Sequence, residues 1–285
     1  MSSYHSPLRY PGGKTKLTEY VKALFRHNNL MDGHYVEPYA GGASIALELV
    51  IQEFAAHVHI NDIDLSVWAF WNSVLNDFEN LCRRISETPV NMETWIEQRE
   101  IQKRKDTVDT LTLGFSTFFL NRTNRSGILK GGVIGGKNQD GNFKIDARFR
   151  KDELIQRIEL IAEHRSRISL YRLDAVELLQ RVVPNLPDTT LVYLDPPYYI
   201  KGGDLYEHHY KHDDHTAVAA AAAKIRQHCM VSYDDVPAIR DLYKNYQYVS
   251  YSLSYCAQNK YRGTEAIFLD PKLECPGLKA SMQPA

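Results

Sequence analysis

Short apolar runs that end at polar turns alternate with helical patterns along this chain. Tyr35-Val36-Glu37-Pro38 indicates a strand, and it is followed by a turn of small residues at 39–44 and a helical pattern at 45–49. The next apolar segment, Val58-His59-Ile60, ends at Asn61-Asp62. This order predicts a strand–helix–strand unit with an acidic residue at the tip of its second strand. Nucleotide-binding α/β folds place an acceptor for ribose hydroxyls at that position.

The region from residue 65 to about residue 119 has helical rather than strand spacing. Its large apolar side chains recur about every third or fourth residue, which predicts helix faces turned toward a core. Strand patterns return at 167–171 and at 191–194. We therefore interpret the block between the second and third strands as an insertion into a sheet domain. The apolar residues at its start are Trp68, Phe70, Trp71, Leu75, Phe78 and Leu81.

A glycine-rich stretch occupies the second half of this insertion. Turn-forming residues alternate with short apolar pairs over 121–136, which predicts a loop or a ribbon. Downstream, the pattern predicts an alanine-rich helix over 217–227 and strands at 229–233, 246–255 and 266–269.

Asp195-Pro196-Pro197-Tyr198 directly follows the apolar run at 191–194. Because two consecutive prolines cannot donate to a sheet ladder, the strand must end here, with Asp195 at its carboxyl end. Ligands bind at that edge of an open α/β sheet. The carboxylate and a main-chain carbonyl can accept both hydrogens of a planar amino group, while Tyr198 offers a ring for stacking. A rigid turn with a buried tyrosine and a capping aspartate has the same sequence pattern.

The overall composition excludes some classes of protein. With a net charge of −1, the 285-residue chain has no overall attraction to a polyanion. No apolar stretch approaches the roughly 20 residues that cross a bilayer, and the polar start does not resemble a signal peptide, so we expect no membrane association. The cysteines form no Cys-x-x-Cys pair, which argues against a zinc ribbon and favours a cytoplasmic protein. They are Cys82, Cys229, Cys256 and Cys275.

Positive charge is concentrated in the glycine-rich part of the insertion. Between residues 121 and 151, eight basic residues accompany two acidic ones, Asp140 and Asp146, a surplus of six. This indicates a face that contacts phosphates, although a solvated loop balanced by acidic neighbours has the same composition. The basic residues are Arg122, Arg125, Lys130, Lys137, Lys144, Arg148, Arg150 and Lys151.

Over most of residues 7–270 the order of these motifs resembles the Dam-like family of DNA adenine methyltransferases. Leu8-Arg9-Tyr10-Pro11-Gly12-Gly13-Lys14 is similar to the amino-terminal cofactor motif of that family, and Glu37-Pro38-Tyr39-Ala40-Gly41-Gly42 to its glycine motif. The resemblance implies an α/β, Rossmann-like S-adenosylmethionine methyltransferase fold. A mixed, mostly parallel sheet flanked by helices would form the catalytic domain, 1–64 and 160–272. An inserted, mainly helical target-recognition domain would occupy 65–159, before a loose tail at 273–285.

The resemblance also implies which residues bind the cofactor, S-adenosyl-L-methionine. Tyr10 and Lys14 would lie against its methionine end. Gly41 and Gly42 would let the backbone approach the cofactor closely. Glu37, at the start of the same motif, is also a candidate cofactor-binding residue. Taken singly, Lys14 has an equally ordinary interpretation as a solvated lysine.

Two aspartates would hold the nucleoside part of the cofactor. Asp62 would accept the ribose hydroxyls, and Asp174 the amino group of the adenine. Many family members have an aromatic residue after the second aspartate, where this chain has Ala175. Each aspartate could instead cap the segment that follows it.

The resemblance implies that Asp195, Pro196, Pro197 and Tyr198 form a pocket for the target adenine, with Asp195 also bordering the cofactor. The base would leave the duplex and stack on Tyr198, while Asp195 and the Pro196 carbonyl hold its amino group in line with the methyl donor. A methyltransferase acting on RNA or on a protein glutamine, and a catalytically silent DNA-binding module, remain open as alternatives.

The insertion lies where family members recognise their target sequence. Relatives that modify GATC tend to carry Asn-Gly-Leu-x-Arg, whereas this chain has Ser126-Gly127-Ile128-Leu129-Lys130, so GATC is not implied. Arginine, lysine and asparagine read guanine and adenine edges or contact phosphates. The candidate DNA-binding residues are Arg122, Asn124, Arg125, Lys130 and Lys137.

The expected partner is double-stranded DNA, with no obligate protein partner; a cognate restriction endonuclease is compatible with this activity. The histidines near residue 210 do not indicate a metal site, because we expect them to be solvated in a loop before a helix that Asp213 can cap. They are His208, His209, His212 and His215. Methyl transfer of this kind needs no metal.

Overall fold

We describe the protein from a computed structural model. It describes residues 5–9, 17–199, 210–254 and 262–277, with the backbone alone at 251–254 and 262–264.

Seven strands form one sheet within the described residues. Their order across the sheet is β3-β2-β1-β4-β5-β7-β6. The first five strands pair in parallel, whereas β7 runs antiparallel to both β5 and β6. The predicted mixed, mostly parallel sheet is therefore confirmed. The strands are β1 (Gly33–Glu37), β2 (Ala55–Asn61), β3 (Ile168–Tyr171), β4 (Leu191–Leu194), β5 (His228–Asp234), β6 (Gln247–Ser254) and β7 (Arg262–Leu269).

Helices flank the sheet, and several short 3-10 turns join them to the strands. The helices are α1 (Thr18–His27), α2 (Ser44–Ile51), α3 (Leu65–Asn76), α4 (Phe78–Glu87), α5 (Met92–Lys103), α6 (Thr110–Thr123), α7 (Lys151–Glu163), α8 (Ala175–Arg181), α9 (His212–Ala222) and α10 (Pro237–Leu242). None of these described helices combines the length and the apolar character that crossing a bilayer requires.

Helix α9 begins and ends earlier than the predicted helix at 217–227. Asp214 accepts a hydrogen bond from the backbone N–H of Lys211 at 2.7 Å, so Asp214, and not Asp213, supports the start of the helix. His215 is not in a solvated loop, because it lies in α9, is fully buried and bonds through Nδ1 to the Tyr233 hydroxyl at 2.8 Å. The expectation of solvated histidines was wrong at His215.

The inserted helices α3 to α7 lie between β2 and β3 in the chain. Phe70 of α3 stacks on Phe118 of α6 with ring centroids 5.9 Å apart. Both side chains are fully buried in a core cluster that also contains Tyr35 of β1 and Val58 of β2. The predicted helical stripes are confirmed, and the insertion packs into the same core as the sheet.

The first residues of the tail expected at 273–285 are packed, while residues 278–285 lie outside the described part of the chain. Leu273 is buried, and its carbonyl accepts from Gln247 Nε2 at 2.6 Å. The backbone N–H of Glu274 donates to Asn28 Oδ1, also at 2.6 Å. The predicted loose tail is therefore anchored through Glu274.

The sheet topology defines one edge for ligand binding. Strand β1 lies between β2 and β4, and the chain leaves β1 toward β2 but later returns to β4 on the other side. A crevice forms at the carboxyl ends of strands where the strand order reverses in this way. Glu37 and Asp195 stand at the carboxyl ends of β1 and β4.

Candidate active site

The glycine turn between β1 and α2 is bonded to the tip of β2. Gly41 has a left-handed backbone, with φ of 47°, and its N–H donates to Asp62 Oδ2 at 2.9 Å. The other carboxylate oxygen, Oδ1, accepts from the N–H of Asp64 at 3.0 Å. Trp71 Nε1 donates to the Gly41 carbonyl at 2.8 Å and holds the turn from the other side. The structure thus brings Gly41 and Asp62 together, as the proposed cofactor site requires.

Asp62 titrates near neutral pH. Burial raises its pKa to about 7, and the negative charge of Asp64 adds to this effect, while the two backbone hydrogen bonds oppose it. The neighbouring Ile63 is 45% exposed, so its apolar side chain is accessible beside Asp62. Sequence reasoning missed Ile63. Its position between Asp62 and Asp64, at the tip of a strand, was a signal that its apolar side chain would be exposed.

Asn61 connects three segments at this edge. Its Nδ2 donates to the carbonyls of Pro38 and Leu173 at 2.8 and 3.0 Å, and its Oδ1 accepts from the Leu173 N–H at 2.9 Å. The segment after β3 is thereby fixed beside β2, which brings Asp174 to the same edge. Asp174 is exposed and accepts from the Val176 N–H at 2.8 Å, so it caps α8.

The side chain of Glu37 forms hydrogen bonds with buried groups of the protein. It is buried, and its Oε1 accepts from the Tyr35 hydroxyl at 3.1 Å and from the Ala46 N–H at 3.2 Å. Burial raises the pKa of Glu37 to about 8, and the charge of Asp195 adds to this shift. Its carboxyl group therefore supports the start of α2 behind the glycine turn, and its role at the cofactor stays a prediction.

The Asp-Pro-Pro-Tyr turn leaves β4 as the sequence predicted. Asp195 is half-buried, and its Oδ1 accepts a hydrogen bond from Ser232 Oγ at 2.7 Å. The Tyr193 hydroxyl lies 2.8 Å from the same serine oxygen. Pro196 is buried and Pro197 half-buried, which fixes the backbone beyond Asp195.

The rest of the turn is held by two further acidic side chains. The Tyr198 hydroxyl donates to Glu265 Oε1 at 2.9 Å, and the Tyr199 N–H donates to Asp234 Oδ1 at 2.9 Å. Sequence reasoning missed these two and Ser232. Their common signal is a polar residue within or at the end of an apolar strand pattern.

Comparison with known proteins identifies the family of this chain. Residues 10–255 match the family model described as D12 class N6 adenine-specific DNA methyltransferase. The chain belongs to this family. The protein is therefore an adenine-specific DNA methyltransferase, the first of the functions that the sequence left open.

A curated relative and a solved structure are similar to this methyltransferase. Type II methyltransferase M.MjaIII from Methanocaldococcus jannaschii is 22% identical over 207 residues, 67% of this chain and 68% of the relative. The crystal structure of protein LPL1258 from Legionella pneumophila matches 89% of this chain and 84% of that chain. Its identity is 12% and its TM-score is 0.31, which is too low to bear on fold or activity.

The amino-terminal segment joins the glycine turn of the methyltransferase to its insertion. The Ser6 hydroxyl donates to the Gly42 carbonyl. Asn121 accepts from the N–H of Arg9 and donates to its carbonyl, both at 2.7 Å. The candidate cofactor residues Tyr10 and Lys14 follow directly, but they lie outside the described residues.

The glycine-rich stretch of the methyltransferase forms a short ribbon, which is one of the two forms, loop or ribbon, that the sequence predicts. Asn124 and Val133 form an antiparallel bridge. Between the ribbon and α5 lies a groove of about 450 Å³. The side chains of Arg125, Lys130 and Lys137 meet there with Arg99, which sequence reasoning missed. Arg99 stacks over Trp95 with its guanidinium carbon 5.0 Å from the ring centroid.

Asn124 does not face this groove. It is fully buried, and its Oδ1 accepts from Trp95 Nε1 at 2.7 Å. Its Nδ2 donates to the carbonyls of Ile128 and Leu129, both at 2.9 Å. Because the amide is used to shape the ribbon, the expectation that Asn124 reads a base is corrected.

Arg122 lies apart from the groove in a cluster of guanidinium groups. Its Nε donates to the Arg148 carbonyl at 2.8 Å. Burial lowers the pKa of Arg122 to about 9, and the charges of Arg9, Arg157 and Arg148 lower it further. Such a concentration of like charge suits an anionic partner.

No group of three or more histidine, cysteine, aspartate or glutamate side chains is arranged to hold a metal ion within the part of the chain that the structure describes.

Proposed function

We propose that this enzyme transfers a methyl group from S-adenosyl-L-methionine to N6 of an adenine that it turns out of duplex DNA. The observation that carries the proposal is Asp195, a half-buried carboxylate at the carboxyl end of β4, beside the crevice between β1 and β4. A carboxylate there can accept from the amino group of a base that enters the crevice.

The residues at the tip of β2 fit the nucleoside part of the proposed donor. Asp62 keeps acceptor capacity beyond its two backbone hydrogen bonds, since a carboxylate offers about four acceptor sites for hydroxyl groups such as those of a ribose. Ile63 offers an exposed apolar surface beside it for a flat ring. Gly41 and Gly42 allow a close approach, and Asp174, Tyr10 and Lys14 complete the proposed set. When bound, S-adenosyl-L-methionine would supply an electrophilic methyl group.

The Asp-Pro-Pro-Tyr turn is the proposed binding site for the target base. Asp195 and the Pro196 carbonyl would accept the two amino hydrogens of adenine, while Pro197 keeps the turn rigid and Tyr198 stacks on the ring. Unstacking a base costs a few kcal/mol, and an aromatic stack returns about 1–3 kcal/mol, so the pocket offsets much of this cost. Hydrogen bonds to the amino group draw its nitrogen lone pair out of conjugation. Transfer would form the nitrogen–carbon bond as the sulfur–carbon bond of the donor breaks, leaving a neutral thioether, and the cationic nitrogen would then release one proton to solvent.

The basic groove of the insertion is the proposed DNA contact. Arg99, Arg125, Lys130 and Lys137 line one concave surface, which suits a nucleic acid backbone and the base edges beside it. Arg122 and its guanidinium neighbours would contact phosphate. In this proposal residues 65–159 act as the target-recognition region. A companion restriction endonuclease is suggested only by the Type II description of the relative.

Methyl transfer with a labelled donor tests the proposal. The purified protein is incubated with methyl-labelled S-adenosyl-L-methionine and mixed-sequence duplex DNA, which is then digested to nucleosides. We expect the label in N6-methyldeoxyadenosine. Label on cytosine, or none on DNA, would contradict the proposal. A single-stranded DNA of the same sequence, as a matched substrate, tests the preference for a duplex.

A further inference from the structure

Three polar side chains from β5 and β7 hold the turn that carries Asp195. Ser232 bonds to Asp195, Glu265 to Tyr198 and Asp234 to the backbone of Tyr199. Asp234 and Glu265 stand opposite each other in the antiparallel pair of β5 and β7. The turn is thereby fixed by strands that lie on the far side of β4 from the proposed cofactor site.

The two hydrogen bonds that lead to Asp195 are both donated toward its carboxylate. An ionised carboxylate only accepts, so the Ser232 hydroxyl donates its single hydrogen to Asp195 Oδ1. The Tyr193 hydroxyl, 2.8 Å from the same serine oxygen, must then donate to it. Two hydroxyl groups thus form a chain that runs from Tyr193 through Ser232 to the carboxylate. Bonds aligned in this way strengthen each other in a low-dielectric interior.

Burial gives this chain a fixed geometry. Ser232 is fully buried and Tyr193 is 3% exposed, so water does not compete for the two hydroxyls. Tyr193 and Asp195 are two residues apart across the end of β4, and β5 pairs with β4 beside them. One oxygen of Asp195 is therefore held toward β5, which orients the carboxylate.

We propose that Ser232, supported by Tyr193, is a positioning residue for methyl transfer. This inference rests on the proposed role of Asp195. Ser232 does not touch the base or the donor. It holds the carboxylate plane so that an extruded adenine presents its amino nitrogen to the methyl group. A displacement of about 1 Å in such an arrangement is enough to slow a reaction on the order of 100-fold.

The test compares Ser232→Ala with Ser169→Ala. Ser169 is a suitable control because, like Ser232, it lies in a strand of the sheet and its hydroxyl forms a side-chain hydrogen bond, 2.8 Å from His57 Nε2. Unlike Ser232, it lies on the edge strand β3, away from Asp195. Single-turnover methylation is measured at saturating donor and at a saturating concentration of a duplex that contains a sequence the enzyme methylates. Donor affinity, and the fluorescence of 2-aminopurine at the target position as a reporter of extrusion, are measured alongside.

We expect Ser232→Ala to lower the single-turnover rate on the order of 10- to 100-fold, with donor affinity and extrusion unchanged. Ser169→Ala should keep the wild-type rate. A wild-type rate in Ser232→Ala, or an equal loss in the two variants, would overturn the inference. Tyr193→Phe should lower the rate by a smaller factor in the wild type and by none in the Ser232→Ala background. Independent losses from the two changes would contradict the proposed chain.

Two further outcomes keep the inference separate from the proposed function. A full rate in Asp195→Asn would overturn both the positioning role of Ser232 and the proposed role of Asp195, because transfer would then not need the carboxylate, whereas methyl transfer itself would stand. An inactive Asp195→Asn beside a fully active Ser232→Ala would overturn the positioning role alone. If Ser232→Ala does not fold, Tyr193→Phe carries the test, and a wild-type rate in that variant would contradict the inference.

Discussion

The backbone N–H of Gly41 donates to Oδ2 of Asp62 over 2.9 Å, which joins the glycine turn to the tip of the neighbouring strand. The two features that indicated a nucleotide site in the sequence are therefore one physical unit. In the proposed site, a change at Asp62 would therefore alter both the hydrogen-bond acceptor for the ribose of the cofactor and the shape of the turn.

The affinity for S-adenosyl-L-methionine should rise with pH through about 7. The pKa of Asp62 is raised to about 7, and in the proposed site the ionised form accepts the ribose hydroxyls. Well below that pH the affinity should fall about tenfold per pH unit, because a proton must leave on binding. Calorimetric titration from pH 5.5 to 8.5 measures this.

Two variants serve as controls for this pH dependence. Asp62→Asn should bind more weakly and lose this pH step. Asp64→Asn should move the midpoint to lower pH, because the charge of Asp64 helps to raise the pKa of Asp62. An unchanged step in Asp62→Asn would exclude this carboxyl group as its source.

Glu37 should make the folded protein less stable as pH rises. Its pKa is about 8 in the folded state against an ordinary value of 4.5. The folded protein thus holds a proton that the unfolded chain releases. The stabilising contribution is complete below about 4.5 and is lost as pH rises through 8. Glu37→Gln should be less sensitive to pH, so the difference in unfolding free energy between wild type and variant should shrink from pH 5 to pH 9. Urea unfolding measures it, and a constant difference would contradict the assignment.

Asn124→Ala should destabilise the fold rather than alter sequence preference. The change leaves Trp95 Nε1 and the carbonyls of Ile128 and Leu129 without this partner, at a cost of about 1–3 kcal/mol. Arg125→Ala is the matched control, since Arg125 is exposed and its removal should change stability by less than about 0.5 kcal/mol. Urea unfolding distinguishes them. Wild-type stability in Asn124→Ala, with altered target preference, would restore it as a base reader.

Lys130 and Lys137 should differ in what they contact. If Lys130 reads a base, Lys130→Ala should cost about 1–3 kcal/mol of discrimination at one position of the target. If Lys137 contacts phosphate, Lys137→Ala should weaken all sequences alike and reduce the salt slope of binding by about one. Binding to a panel of single-substituted duplexes at several salt concentrations tests both. Uniform weakening by both variants would make each a phosphate contact.

The strands and turns were predictable because their signals are local. The paired prolines after Leu194 end β4, and the acid after Ile60 and Asn61 marks the end of β2, so the sequence alone placed Asp62 and Asp195 at strand ends. The start of α9 was predicted too late, because the alanine run outweighed the acidic first turn at Asp214.

The contacts that could not be predicted join residues far apart in the chain. The side-chain amide of Asn124 is occupied inside the ribbon because its Oδ1 accepts a hydrogen bond from Trp95, 29 positions earlier. Ser232 meets Asp195 across 37 positions, a relationship that exists only once β5 has paired with β4. A polar residue in an apolar strand signals that it has a partner, but only the register of the sheet identifies that partner.

Single-turnover methylation by Asp195→Asn tests the central proposal most directly. Asp188→Asn is the matched control, because Asp188 is an exposed aspartate just before the other end of β4. With donor and DNA both bound, we expect the Asp195 variant to lose on the order of 100- to 1,000-fold or more in rate, while the control keeps the wild-type rate. Binding of donor and DNA that persists beside the lost rate would support Asp195 as the group that holds the adenine amine. A rate in Asp195→Asn equal to that of the wild type would contradict it.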